Sequence, residues 1–443
     1  MRDIALTALV FGALPLILWR PHIGVLLWTW LGIMNPHRLT WSFAYDMQFS
    51  FLVALVTLFS LLISREPKRI PWTRETIVLL LFAGWMLLTT LFAAYPALAW
   101  PQLEKVWKIL LMVFVTLMLM QSKARINLLM WLMTLSLAFY GVKGGIFTIA
   151  NEGVYRVWGP EGSFIEGNNE MALALVMTIP LLRYLQLISP NVWMRHAMTA
   201  AMVLSAFAAV GSQSRGALIG IVAMGAFFWL KSRNKFITGS VVAVATAFVL
   251  STMPEQWFNR MATILNYEQD SSALGRINAW RMAINLASDR PLGGGFETFE
   301  PGMFTAYAPE PWRVHDAHSI FFEVLGEHGF IGLALYLALG LMTWRTASWI
   351  IRRCRGDPQN RWAADLAAMV QVSLVGYATA GAFLGLAYFD LYYTLVAVVV
   401  LCKMVLVSHD APSVALATGP LRDPLTRHGA APQPLPAPAK NIQ

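Results

Sequence analysis

The run Val241-Val-Ala-Val-Ala-Thr-Ala-Phe-Val-Leu250 gives way within three residues to Met253-Pro254-Glu255-Gln256-Trp257-Phe258-Asn259-Arg260. How the chain is read turns on this junction. Before it, from Asp3 to Thr252, lies a string of apolar runs with short polar connections, and most of Ser319 to Val407 repeats that pattern. After it comes the only long polar stretch outside the tail, Met253 to Ala317, which runs into His315-Asp316-Ala317-His318. A bilayer-spanning helix needs roughly 20 apolar residues. Twelve such runs lie near 3–33, 50–64, 76–95, 106–121, 126–148, 169–189, 196–211, 216–231, 236–252, 328–350, 363–386 and 389–407. The expected fold is therefore all-α: a polytopic integral membrane protein of about 12 transmembrane helices. One large periplasmic loop, 253–317, carries short amphipathic helices. A break of the first run at Arg20-Pro21 would raise the count to thirteen.

Composition excludes a water-soluble globule. The chain is 57% hydrophobic and only 13% charged, against about 25% charged for soluble domains. Its net charge of +9 does not point to nucleic acid, because the cations fall in short clusters between apolar runs: Arg65 to Arg74, 122–125, Lys231 to Lys235 and Arg345 to Arg361. That is the positive-inside pattern of inner-membrane proteins. It makes those loops and the tail cytoplasmic, and twelve spans would put the N-terminus on the same side. The connections 34–49, 149–168, 211–216 and 253–317 then face outward. Residues 1–407 form the membrane-embedded unit. Residues 408–443, with seven prolines, read as a disordered cytoplasmic tail. Cys354 and Cys402 have neither metal-ligand spacing nor a place on the outer side, so no structural disulfide is expected.

Loop 253–317 has five arginines, eight carboxylates and no lysine. Leu274, Ile277, Trp280 and Ile284 recur at helical spacing and predict a helix over 271–288, which Gly293-Gly294-Gly295 ends. Arg156, Arg215 and Arg276 lie on the side that the positive-inside bias empties of cations, and Arg281 lies beside Arg276. Each alone is most often a solvated or headgroup-anchoring residue. Together they would suit a lipid-linked diphosphate, since a guanidinium forks onto phosphate oxygens as an ammonium does not. His315 and His318, at i and i+3, would share one face of a helical turn. A zinc site would need at least one more ligand. A general base and a headgroup-level histidine without a role are the other readings. Glu327, nine residues past His318, reads as a buried structural contact.

Several of these segments, taken in order, resemble the O-antigen ligase and polymerase superfamily: Arg215 in a short outer turn, Gly275-Arg276-x-x-x-Trp280, Pro291-Leu-Gly-Gly-Gly-Phe296 and His318-Ser-(x)7-Glu327-x-Gly329-(x)2-Gly332. The segments Met34-Asn-Pro-His-Arg-Leu-Thr-Trp41 and Phe139-Tyr-Gly-Val-Lys-Gly-Gly145 are more specifically similar to the O-glycosylation ligases that accompany exosortase systems. The resemblance implies a membrane glycosyltransferase of the bacterial inner membrane, with its active site on the periplasmic side. It would move a glycan from an undecaprenyl diphosphate carrier to a hydroxyl of a lipid A-core or protein acceptor, with no metal and no cofactor. It implies His318 as general base and Arg215 and Arg276 as catalytic and diphosphate-binding residues. Arg156 would add to the diphosphate site, with His315, Arg281 and Glu327 in support. Ser319 follows His318 where many relatives carry Asn. A polymerase joining carrier-linked repeat units is the nearest alternative, and the same residues would serve it.

Overall fold

The computed structural model describes residues 1–410 apart from 233, 263 and 265–269. Among them the regular elements are all helical. The apolar helices are α1 (Arg2–Trp19), α2 (Pro21–Met34), α3 (Phe49–Ile63), α4 (Arg74–Leu91), α5 (Pro96–Leu119), α6 (Lys123–Ala150), α7 (Asn168–Ile188), α8 (Val192–Gly211), α9 (Arg215–Lys231) and α10 (Lys235–Thr252). The 253–317 segment holds α11 (Glu255–Ala262), α12 (Ser271–Asp289) and α13 (Pro301–Tyr307), and α14 (Ile320–Arg353), α15 (Arg361–Gly381) and α16 (Asp390–Asp410) follow. By length and composition, α1, α4, α6, α7, α8, α14, α15 and α16 can each cross a membrane. Of the predicted tail, residues 411–443 lie outside the described residues.

The first apolar run is a hairpin of two helices, not one span. Pro21 occupies the first turn of α2, where its missing N–H costs nothing, so the chain reverses at Arg20. Asp3 accepts backbone N–H bonds from Ser42 and Ala44 at 3.0 and 3.3 Å. At the far end of α1, the Ser60 hydroxyl of α3 donates to the carbonyl of Ile17 at 2.6 Å. α1 therefore starts beside the 34–49 connection and ends at the opposite pole of the bundle. The N-terminus lies at the pole opposite the C-terminal end of α16, whose Lys403 sits over Trp349 near the end of α14. The two termini therefore do not share a pole, although the sequence suggests that they do.

The remaining connections sort as the charge pattern predicts. At one pole the 34–49 and 149–168 loops meet through Tyr45, whose hydroxyl donates to Glu161 at 3.1 Å. Both the 149–168 loop and α11 bond to the α8–α9 turn. At the other pole Arg125 grips Glu66 through two N–H donors at 2.7 and 3.0 Å, and Lys123 covers the Trp362 ring at 5.5 Å. The centre is formed by α6, α7, α8, α9, α14 and α15 packed on one another, with α4 and α12 laid against α14.

α14 is bent at Gly329, whose φ of 66° and ψ of −171° lie outside helical space. The bend frees carbonyls from the helical ladder, and buried carbonyls need partners. Gly294 N–H donates to Gly326 at 2.9 Å, Gly295 N–H to Glu327 at 2.8 Å, and the Trp85 indole to His328 at 2.9 Å. The glycine run expected to end α12 instead follows a helix already stopped at Asp289, ahead of Pro291, and forms the socket for the kink. A Cβ at Gly329 would also strike the carbonyl oxygen of Pro291. Gly329→Ala should therefore destabilise the protein by at least the roughly 1–3 kcal/mol typical of such a backbone conformation. A thermal unfolding scan of the purified variant checks this; an unchanged midpoint would show that the kink is not needed.

Helix α12 forms where the sequence predicts it, but it buries a different stripe. Ala279, Met282, Ala283 and Leu286 are inside, whereas Ile284 is 41% exposed. The alanines let α12 approach α14 closely, and of the predicted stripe Ile284 turns outward.

Candidate functional site

The turn between α8 and α9 is the first component. Ser212, Gln213 and Ser214 are buried. Asn168 donates to the Ser212 carbonyl at 2.8 Å. The Gln213 side chain reaches the carbonyls of Gly153 and Val154 at 3.1 and 3.0 Å. Ser214 caps α9 by accepting from Ala217 N–H, which sets Arg215 at the first helical position. The side chain of Arg215 pairs with Asp270, and the second oxygen of Asp270 caps α12 through Ser272 N–H at 3.0 Å. One carboxylate thus ties the α9 start to the α12 start. Arg260 of α11 donates to the Gln213 carbonyl at 2.9 Å, which brings a second cation to the same turn.

The second component is α12. Arg276 and Trp280, four residues apart, lie on one face. The Trp280 indole donates to the Ala317 carbonyl at 2.7 Å and stacks on Phe322 with centroids 4.9 Å apart. Asn278 donates to the carbonyls of Glu310 and Arg313 and accepts from Glu310 N–H. These bonds hold residues 310–317 in an irregular path. His315 and His318 are therefore not on a helical turn; α14 starts only at Ile320. The two rings still meet edge to face, 5.0 Å apart. His315 lies so close to the α12 backbone that a Cβ on Gly275 would approach its Cδ2 to 2.8 Å, which explains the glycine before Arg276.

His318 has a φ of 39°, a left-handed conformation that is costly for a residue with a Cβ. Gln213 (φ 58°) and Glu297 (φ 54°) share this strain. Backbone strain of this kind gathers at functional sites. Burial, and then the charge of Arg276, hold the His318 imidazole down to about 4. Its ring is thus neutral at ordinary pH. Burial and the nearby Arg260 also lower the Arg276 guanidinium from its usual range. The Nε of Arg276 is buried and has no hydrogen-bond partner among the described residues. Arg260 in turn feels the charges of Arg156 and Arg215.

Arg156, Arg215, Arg276, His315 and His318 thus occupy one electrostatic neighbourhood. Arg281 does not join them: it is exposed, and five residues past Arg276 it points about 140° away around the helix. Glu327 is buried and accepts from Glu297 N–H at 2.8 Å and from the Tyr388 hydroxyl, a contact that ties the glycine socket to the chain before α16. Sequence reasoning did not single out Arg260, Asp270, Glu170 or Glu323. Glu170, in the first turn of α7, faces Arg276 and Asp316. Glu323, one turn into α14, accepts from Ala387 N–H at 3.2 Å. Among the described residues, no group of three His, Cys, Asp or Glu side chains could hold a metal ion.

Residues 200–337, which contain Arg215, Arg260, Arg276 and both histidines, match the family model of the O-antigen ligases. Residues 1–189 match a family of unknown function. No curated protein matches the chain. Together with the apolar helices, the ligase match supports glycosyl transfer of the ligase or polymerase type by a multi-pass membrane protein.

Proposed function

We propose that the protein transfers a glycan from an undecaprenyl diphosphate carrier to an acceptor hydroxyl at the outer face of the bacterial inner membrane. The acceptor would be a lipid A-core or a protein. The observation that carries this reading is the gathering of Arg156, Arg215, Arg260 and Arg276, from four separate stretches, beside a neutral His318. A sugar diphosphate is already activated. The enzyme has to hold it, stabilise the departing charge and take a proton from the incoming alcohol.

In the proposed step the acceptor oxygen attacks the anomeric carbon and its proton passes to His318. The carbon–oxygen bond to the diphosphate breaks, and its electron pair leaves on the phosphate oxygen. Direct displacement inverts the anomeric centre. Arg215 and Arg276 face the charge that develops on the leaving group, and fixed donors at such a position are often the largest catalytic term. Arg260 and Arg156 extend the cationic surface, so the site is assembled across three outer connections. An apolar groove of about 680 Å³ runs between α7, α8, α9 and α10, from Arg183 up to Val210 and Trp257 beside the arginine cluster. It fits a polyprenyl tail whose diphosphate ends at those arginines.

The pH profile follows from the histidine. A base must be neutral to accept a proton, and His318 is neutral above about 4. Transfer should therefore stay level from about pH 8 down to about pH 5.5 and fall only at lower pH, whereas an ordinary imidazole would lose half its base form near pH 6.5. Measuring kcat/KM against pH decides between them. The function itself is tested with purified protein, carrier-linked glycan and a candidate acceptor. Glycan moved to lipid or protein supports ligation; long chains left on the carrier would mean a polymerase, and no transfer at all would refute both.

A further inference from the structure

We propose that the pole of the bundle opposite His318 carries a binding site for the phosphate headgroup of an anionic phospholipid. A cavity of about 850 Å³ opens there between four helices. Lys123 at the start of α6, Arg183 near the end of α7, Arg195 in the first turn of α8 and Arg361 at the start of α15 all line it, and Asp365 is its one lining carboxylate. Four cations against one anion leave a net charge of +3.

The positive-inside bias accounts for cations at this pole. It does not account for four of them, from four different helices, converging on one cavity. A basic pocket between membrane helices on the cytoplasmic side suits anionic headgroups, and three of the four cations are guanidiniums able to fork onto phosphate. Arg183 is half-buried and held by the Gln186 side chain, so its fork is oriented before any ligand arrives. Lys123 rests over the buried Trp362 ring at 5.5 Å. Leu187 and Ile188 complete an apolar sill, across which an acyl chain leaves toward the bilayer. That sill favours a lipid phosphate over a free one.

The site is tested without the transfer chemistry, at Arg195 and Arg361, because Arg183 also borders the groove proposed for the carrier tail. Delipidated protein in detergent is offered an equimolar mixture of phosphatidylglycerol and phosphatidylcholine, and bound lipid is counted by native mass spectrometry. Preferential retention of phosphatidylglycerol, with a rise of several degrees in the unfolding midpoint, is the expected result. The double variant Arg195→Gln, Arg361→Gln should bind it about thirtyfold more weakly. Equal retention of the two lipids by the parent overturns the proposal even if the variant fails to fold. So does a folded variant with parental affinity, or millimolar inorganic phosphate reproducing the whole stabilisation.

Discussion

Replacing His318 with alanine should lower glycan transfer by about 10²–10⁴-fold, the usual contribution of a positioned general base. The protein should remain folded, because the bonds that shape its surroundings come from other residues. Trp280 holds the Ala317 carbonyl, Asn278 holds the 310–313 backbone, and α14 begins two residues later. The left-handed φ of 39° adds a complication, since alanine carries that strain as histidine does. His318→Asn separates the two effects. Asparagine tolerates left-handed conformations but cannot serve as a base near neutral pH, so it should be as inactive as alanine and at least as stable. A scaffold role without catalysis predicts that both variants function. Near-parental transfer by either one, measured with carrier-linked glycan, would remove His318 from the chemistry.

Much of the fold was legible because membrane-spanning helices announce themselves as uninterrupted apolar runs, and because cations mark one pole. The features that escaped have tertiary causes. The run 3–33 is interrupted only at Arg20-Pro21-His22, and a proline that can open a helix as easily as break one leaves one span and two equally open. The i, i+3 spacing of His315 and His318 suggests a helical turn, yet side chains from α12, some 35 residues earlier, pull this segment out of helix. Glycines 293–295 are not the terminator the sequence suggests, because α12 stops at Asp289, ahead of Pro291. That they cradle the bend at Gly329 depends on two segments meeting in space. The candidate site divides the same way. Arg215 and Arg276 stand out because they are cations where few are expected. Arg260 sits among ordinary polar loop residues, and only folding brings it to the Gln213 carbonyl. Asp270 gives no local sign that it will pair with Arg215.

The arginine variants should be nearly as damaging as the histidine ones, and they separate charge from geometry. Arg276→Lys keeps a cation but loses the buried Nε–H that has no partner among the described residues. A buried donor left unsatisfied is costly and calls for an explanation; a phosphate oxygen of the carrier supplies one. Lysine presents one flexible ammonium and no fork, so the variant should lose about 10²–10³ in transfer rate, the range for removing one electrostatic donor. Arg215→Lys should fall in the same range for a different reason. Its guanidinium is fixed by Asp270, which also caps α12, so the substitution loosens the register between the two helix starts as well as the phosphate contact. Arg281→Lys is the internal control: that side chain is exposed on another face of α12, and its transfer rate should stay close to parental. Side-by-side assays of the three variants, each first checked for a parental unfolding midpoint, give the answer. If Arg276→Lys transfers glycan as well as Arg281→Lys does, the arginine is a headgroup anchor, and the diphosphate must be held elsewhere.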